Sequence, residues 1–212
     1  MDNDRSIALT SEEAVNAATH GLGVLMSLVA VPILLFLGAE AGDPYKLLGL
    51  GVFGVSLFLV YLSSTIYHSM SKPQLKELWH RIDHISIFFL IAGTHTPFLV
   101  FFLQHGDGIF YLLLIWGMAF LGMIYKLFFF GRLKMLSLLF YLAMGWIAVF
   151  TLPPMIELLP SGTLGWIVAG GVAYTLGVIF FVWERLRYHH AIWHLFVLAG
   201  SSAHFVAMLH LV

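Results

Sequence analysis

The chain has 212 residues, of which 60% are hydrophobic and only 10% are charged, whereas about 25% of the residues of a soluble domain are charged. This composition predicts an all-α, polytopic membrane protein. The formal net charge of −1 excludes the basic surface that nucleic-acid binding requires, and the absence of cysteine excludes disulfides and thiolate metal sites. A tightly bound transition metal would therefore use the eleven histidines or the carboxylates.

Apolar runs of about 20 residues, the length that crosses a bilayer as a helix, recur along the chain. They predict one seven-helix membrane domain over residues 1–212, which begins with a short cytoplasmic amphipathic segment at residues 1–20. Short connections rich in Gly and Pro separate the spans, so no second domain is predicted. The predicted spans are residues 21–38, 47–68, 82–103, 109–129, 134–152, 164–183 and 191–211.

Lysine and arginine are distributed unevenly between the predicted connections. Nine of the ten lie before the first span or flank the connections after spans two, four and six, and only Lys46 lies on the other side. Cytoplasmic loops of membrane proteins are enriched in these residues. The pattern therefore predicts a cytoplasmic N-terminus and an external C-terminus.

The segment before the first span combines a helix-start pattern with polar side chains. Residues 10–13, Thr-Ser-Glu-Glu, are typical of a capping box that begins a short helix, and Asn16 and His20 follow on the face of Glu13. In a functional interpretation, Glu13, Asn16 and His20 close over the cytoplasmic mouth of the bundle and hydrogen-bond to a metal site. The two interpretations are compatible.

Polar residues also stand where the second span ends and the third begins. Ser64 and His68 are four residues apart, which puts the hydroxyl and the imidazole on one helix face. Asp83 and His84 begin the predicted third span at the same membrane depth. Asp83 would act as a general base or orient a ligand imidazole, and Ser64 would anchor a water or an oxyanion. Alternatively, Asp83 pairs with a neighbouring basic side chain.

His190 and His194 stand four residues apart at the start of the last span, a spacing that suits two ligands of one metal ion. His68 lies at the same predicted depth and can supply a third ligand. Three neutral imidazoles on zinc leave one position for a water, whose pKa then falls to roughly 7. The alternative is an interfacial helix start whose histidines meet lipid headgroups.

Two further histidines lie in the middle of predicted spans. His204 is ten residues beyond His194, about 15 Å along a helix, which is too far to bind the same ion. It is expected to hydrogen-bond between helices together with neighbouring serines. His95 is either a proton-relay or ligand residue, or a neutral ring bonded to the carbonyl that Pro97 leaves free.

Five of these residues, taken in chain order, resemble the signature of the seven-span PAQR proteins, whose best-known members are the adiponectin receptors. Residues 13–20, as Glu-x2-Asn-x3-His, and residues 94–97, Thr-His-Thr-Pro, are similar to the bacterial hemolysin III branch, which is linked to membrane homeostasis. The five residues are Ser64 and His68 as Ser-x3-His, Asp83 fifteen residues later, and His190 and His194 as His-x3-His.

The resemblance implies a cofactor, an activity and a location. In the receptor members, the three histidines that match His68, His190 and His194 bind zinc, so the resemblance implies Zn²⁺ here. PAQR proteins are similar to alkaline ceramidases, within a wider superfamily of proposed membrane metal-dependent hydrolases. The resemblance also implies a multi-pass protein of the bacterial plasma membrane with its N-terminus inside.

Three functions follow as hypotheses. The first is a zinc-dependent hydrolase of a lipid amide or ester bond, with Asp83 and Ser64 as catalytic residues and a membrane lipid as partner. The second is a non-catalytic sensor or receptor of membrane state in which zinc only joins the second and seventh helices. The third is a pore-forming or proton-conducting protein that uses His95 and His204. No nucleic-acid or protein partner is predicted.

Overall fold

The computed structural model describes residues 2–102, 108–132 and 134–212. Within those ranges it contains seven apolar helical segments long enough to cross a membrane and no strand. The predicted all-α, seven-span fold is therefore confirmed. Residue 1, where the predicted N-terminal segment begins, and residue 103, where the predicted third span ends, lie outside the described residues.

The fifth span is made of two helices, so eight α-helices give seven spans in the described chain. A short 3-10 turn, Pro153–Met155, follows the fifth span. The helices are α1 (Asp2–Glu40), α2 (Pro44–Ser69), α3 (Pro73–Phe102), α4 (Gly108–Phe129), α5 (Lys134–Trp146), α6 (Ala148–Thr151), α7 (Thr163–Val182) and α8 (His189–Leu209).

Helix α1 joins the polar N-terminal segment to the first span without a break. The helix start predicted at residues 10–13 is therefore wrong, because these residues lie inside α1, where backbone groups already pair within the helix. The consequence for function is that Glu13, Asn16 and His20 are carried by the same rigid helix that continues through the membrane.

Helices α2 and α3 both begin with proline at the first helical position, where a missing N–H costs no hydrogen bond. The Asp43 carboxylate caps α2 by accepting from the backbone N–H groups of Tyr45 and Lys46 at 2.9 and 3.3 Å. Helix α3 starts at Pro73, not at residue 82. Asp83 is thus about 15 Å along α3 and not at its start.

The helices form a ring in which α1, α2, α3 and α4 pack successively, α7 pairs with α8, and α8 closes against α1. Helix α3 also contacts α5, whereas α5 and α7 touch at only a few points. The seam between α5–α6 and α7 is consequently loosely packed. Apolar side chains fill two buried clusters, one around Phe53 and one around Phe88.

The two ends of the bundle carry different polar contacts. At one end, the Lys76 ammonium lies 3.1 Å from the Glu13 carboxylate. At the other end, Lys46 donates to the backbone carbonyl of Leu211 at 3.1 Å. The start of α1, the end of α2 and the start of α8 therefore gather at the first end. Its cytoplasmic orientation stays a prediction from the lysine and arginine pattern.

Close packing between α3 and α4 depends on Gly122. A Cβ atom at Gly122 would lie 2.5, 2.6 and 2.6 Å from three ring carbons of Phe88, a side chain with 0% exposure. Gly117 of the same helix has no atom within 4 Å of such a Cβ. We expect Gly122→Ala to destabilise the protein by roughly 1–3 kcal/mol through overpacking, and Gly117→Ala to have little effect.

The measurement is the midpoint of thermal unfolding of the two purified variants in the same detergent. Equal midpoints for Gly122→Ala and Gly117→Ala would contradict the packing of α4 against α3.

Candidate metal centre

Three histidines converge at the end of the bundle where α1 begins. His68 lies in the last turn of α2, and His190 and His194 lie in the first two turns of α8. Each offers one ring nitrogen, and the three nitrogens lie within 4.8 Å of one another. His68 and His194 are buried and His190 is partly buried. A group of this chemistry and size could hold a metal ion.

The Nε2 atoms of these three histidines share an unusual property. All three are buried and have no hydrogen-bond partner in the part of the chain that the structure describes. A buried polar atom without a partner costs about 1–3 kcal/mol. Three such atoms in one place are best explained by one shared ligand, and a cation that takes three nitrogen lone pairs satisfies them together.

The opposite ring nitrogens of two of these histidines are already occupied. His68 Nδ1 donates to the Glu13 carboxylate at 2.8 Å. His194 Nδ1 lies 3.2 Å from the Asn16 carbonyl and 3.0 Å from the Thr19 hydroxyl. Since the Thr19 hydroxyl donates to the same Asn16 carbonyl at 2.9 Å, it accepts from His194. A hydrogen on Nδ1 leaves a lone pair on Nε2, as metal-binding histidines require.

His20 of α1 forms one wall of the site without joining the group of three. Its ring stacks on that of His194, with centroids 3.5 Å apart and planes at 14°, and meets Tyr61 edge-on at 5.2 Å. Both ring nitrogens of His20 are buried and have no partner among the described residues. His20 therefore holds the His194 ring in place by stacking.

Asp83 and Ser64 lie together at the contact between α2 and α3. Both side chains are buried, and the Ser64 hydroxyl faces the Asp83 carboxyl, although Ser64 Oγ forms no hydrogen bond of ordinary geometry with a described residue. Ser64 stands one helical turn before His68 on α2. The carboxyl, the hydroxyl and the imidazole thus follow one another along the α2–α3 contact.

Two other histidines from this end of the bundle lie elsewhere. His84, which the sequence placed at the same depth, has its Nδ1 3.5 Å from the Lys126 ammonium and its ring edge-on to His80 at 4.8 Å. His189 donates to the Phe180 carbonyl at 3.0 Å. Neither ring belongs to the group of three. The His84 ring lies against Lys126 and His80, and the His189 ring bonds to Phe180.

A cavity of about 380 Å³ lies inside the bundle next to this site, although His68, His190 and His194 do not themselves line it. His20 and Asp83 line the end nearest to the three histidines, and His95 and His204 line the deeper part. Most of the remaining wall is made of apolar side chains from α3, α5, α7 and α8. The cavity is therefore polar at the end near the three histidines and hydrocarbon-like beyond it.

The mid-span histidines differ from the sequence expectation in their partners. His95 Nδ1 donates to the Ile91 carbonyl at 2.9 Å, not to the carbonyl of residue 93 that Pro97 leaves free. His204 makes no hydrogen bond to a described residue, since the neighbouring Ser201 hydroxyl is already engaged with its own helix and with the Tyr174 hydroxyl at 2.9 Å.

Sequence reasoning missed two residues that support the site. Thr19 follows Asn16 by three positions and lies on the same face of α1, so helical periodicity could have identified it. Lys76 holds the Glu13 carboxylate at 3.1 Å, and no motif indicated this contact. It depends on how the short connection between α2 and α3 orients the start of α3.

Residues 9–205 match the family model of haemolysin-III related proteins. Hemolysin-3 of Bacillus cereus is 42% identical over 205 residues, which cover 97% of this chain and 94% of the relative. The hemolysin-3 homolog of Bacillus subtilis is 41% identical over 198 residues, which cover 93% of each chain.

A more distant similarity links the chain to a mammalian protein. The human monocyte to macrophage differentiation factor, a PAQR-type protein, is 29% identical over 203 residues, which cover 93% of this chain and 83% of the relative. No solved structure gives a significant match. Because the family match and the Bacillus relatives span nearly the whole chain, the protein belongs to the haemolysin-III related family of multi-pass membrane proteins, which is related to the PAQR proteins.

Proposed function

We propose that this protein is a zinc-dependent hydrolase that cleaves an amide or ester bond of a membrane lipid near the cytoplasmic face, as part of membrane homeostasis. The observation that carries the proposal is the convergence of the three buried, unpartnered Nε2 atoms of His68, His190 and His194. These three residues would hold the ion.

The donor set favours zinc. It consists of three imidazole nitrogens without a thiolate, and zinc accepts three such ligands while keeping a fourth position open in catalytic sites. When bound there, zinc supplies a Lewis acid and activates water near neutral pH. Glu13 fixes the ring orientation of His68, and Asn16 and Thr19 fix that of His194.

Asp83 and Ser64 are suited to the proton transfers of hydrolysis. The Asp83 carboxylate would accept a proton from the attacking water and return it to the leaving group. The Ser64 hydroxyl would hydrogen-bond to that water or to the oxyanion that develops on the substrate. Both groups are buried, so the reaction would take place away from bulk water.

The cavity supports a lipid substrate. It is mostly apolar, and His20 and Asp83, which line one end of it, adjoin the three-histidine group. Four exposed side chains line the cavity at the seam between α5–α6 and α7, Trp146 and Val149 on one side and Val168 and Val172 on the other. A lipid chain can therefore enter sideways from the bilayer through this loosely packed seam.

A second candidate function is a sensor in which zinc has only a structural role. The observation in its favour is that the ligands come from two helices, α2 and α8, while their Nδ1 partners come from α1. An ion at this point would fasten three helices together. The two functions differ in what they require of Asp83.

Purified protein is expected to contain about one zinc ion per chain by elemental analysis. His68→Ala, His190→Ala and His194→Ala should each lose the zinc, because the remaining two nitrogens hold the ion far more weakly. His189→Ala is the matched control and should keep it, since His189 bonds to the Phe180 carbonyl. Full zinc content after loss of any one of the three would contradict the site.

Glu13→Gln is expected to weaken zinc affinity about 10- to 100-fold, because the neutral amide supports the His68 ring less well than the carboxylate does. Glu12→Gln is the control, since the neighbouring position points about 100° away around α1. Both variants can be compared by competition with a chromophoric chelator. Identical affinities would show that Glu13 does not support the metal.

Asp83→Asn separates the two functions. For a hydrolase, zinc content should be unchanged while turnover of fluorescent ceramides and phospholipids in mixed micelles falls by about 10²- to 10⁴-fold. Asp43→Asn at the far end of the bundle, where asparagine also caps a helix, should leave turnover unchanged. If zinc has only a structural role, a bacterial strain that lacks its own haemolysin-III protein should be complemented by the Asp83→Asn variant but not by the His68→Ala variant.

A further inference from the structure

A second group of basic side chains lies at the same end of the bundle as the candidate metal centre, where α3 begins and α4 ends. His80, Arg81 and His84 of α3 and Lys126 of α4 surround the ring of Phe130, and these four residues are called the basic cluster. The Lys126 ammonium and the Arg81 guanidinium lie 5.6 and 5.3 Å from the ring centroid. The His80 and His84 rings meet Phe130 edge-on at 4.9 and 5.6 Å. The proposed hydrolysis uses none of the four.

Lys126 is a buried cation without an anion. It is only 5% exposed, and no described carboxylate lies within ion-pair distance of its ammonium. A buried charge is costly unless it is paired. The C-terminal end of a helix favours a cation, but that effect does not account for a second cation, Arg81, at the same ring. The basic cluster therefore lacks a negative partner.

The position of Lys126 determines which nitrogen of His84 carries the ring hydrogen. An ammonium donates and cannot accept, so His84 Nδ1, which lies 3.5 Å from the Lys126 ammonium, must present its lone pair. The hydrogen of the neutral ring is therefore on Nε2. This atom has no hydrogen-bond partner among the described residues and is not one of the fully buried atoms. The His84 N–H is thus available to a ligand at the surface of the bundle.

Arg81 and His80 add further donors within one helical turn of His84. The Arg81 side chain is 37% exposed and donates to the Glu77 carboxylate at 2.5 Å, which leaves most of its five N–H groups free. Both ring nitrogens of His80 lack a partner in the part of the chain that is described, and neither is fully buried. Even with Glu77 counted, the two cations leave this surface positively charged and rich in N–H groups.

We infer that the basic cluster binds the phosphate of an anionic phospholipid, such as a phosphatidylglycerol, in the leaflet at this end of the bundle. Phosphate oxygens accept from the Nε2–H group of His84 and from the Arg81 guanidinium, a donor whose planar geometry suits phosphate. Lys126 attracts the same negative charge from behind His84. The ligand supplies the anion that the chain itself does not provide for Lys126.

The surroundings of the basic cluster favour a lipid over free phosphate. Leu78 lies three residues before Arg81 on α3, and Leu127 and Phe129 are neighbours of the cluster on α4. Each of these apolar side chains is about half exposed, so a phospholipid can place its phosphate among the donors and its acyl chains along them. Inorganic phosphate would gain only the first of these contacts. The basic cluster shares no residue with the candidate metal centre.

Binding can be measured by displacement of a fluorescent phosphatidylglycerol from the purified full chain in a neutral detergent. Unlabelled phosphatidylglycerol, phosphatidylcholine and inorganic phosphate serve as competitors at one ionic strength. We expect phosphatidylglycerol to bind about tenfold more tightly than phosphatidylcholine, the effect of one hydrogen bond to a charged group, and phosphate to compete weakly. Equal affinities of the two lipids, or phosphate that competes as well as phosphatidylglycerol, would overturn the inference.

Lys126→Met and Arg81→Gln should each reduce the affinity for phosphatidylglycerol to nearly that for phosphatidylcholine. Glu77→Gln should raise it about threefold, because a competing carboxylate is removed from Arg81. Arg185→Gln is the matched control, since it removes an exposed cation at the same end of the bundle, and it should keep the preference. A preference that survives in both Lys126→Met and Arg81→Gln would place the lipid elsewhere and overturn the inference.

Thermal unfolding in lipid-free detergent checks that the variants fold. Lys126→Met should unfold at no lower temperature than the unaltered protein, because a buried charge without an anion is gone. Where that variant fails to fold, Arg81→Gln and the comparison of the two lipids on the unaltered protein decide the question. Missing zinc or missing turnover would count against the hydrolase and leave the lipid preference intact, whereas equal binding of the two lipids would leave zinc binding intact.

Discussion

A polar atom buried in a membrane protein must find a partner inside the protein, because no water is available to replace one. The candidate metal centre follows from this constraint. His68 and His194 bring four ring nitrogens into the bundle; Glu13, Asn16 and Thr19 take up the Nδ1 atoms, and the Nε2 atoms have no partner among the described residues. The polar extension of α1 beyond the first span provides these partners, so its contacts belong to the site as much as the histidines do.

Much of the fold and part of the site could be predicted from the sequence, because each depends on a local pattern. Apolar runs mark the parts of helices that cross hydrocarbon, and a spacing of four residues puts His190 and His194 on one face. Hydropathy does not mark where a helix ends in water. For that reason the helix start predicted at residues 10–13 is wrong, and Asp83, predicted at the beginning of α3, lies well inside it. His84, predicted at the same membrane depth as the three histidines, does not join their group.

The contacts that could not be predicted are those set by the orientation of whole helices. Stacking of His20 on His194 and the ion pair of Lys76 with Glu13 join residues far apart in sequence. The same is true of the cavity, which lies beside the loose contact of α5 with α7 and whose wall combines side chains of α1, α2, α3, α5, α6, α7 and α8. No periodicity within one helix carries information about a gap between two others.

The continuity of α1 gives the candidate metal centre a mechanical property. Glu13 and Asn16 are three residues apart on one unbroken helix, which separates them by only about 4.5 Å along its axis. A rigid helix cannot withdraw one of these groups and leave the other in place. Any displacement of α1 from the bundle would release His68 and His194 together, so the support of the two imidazoles is gained or lost as a single cooperative step.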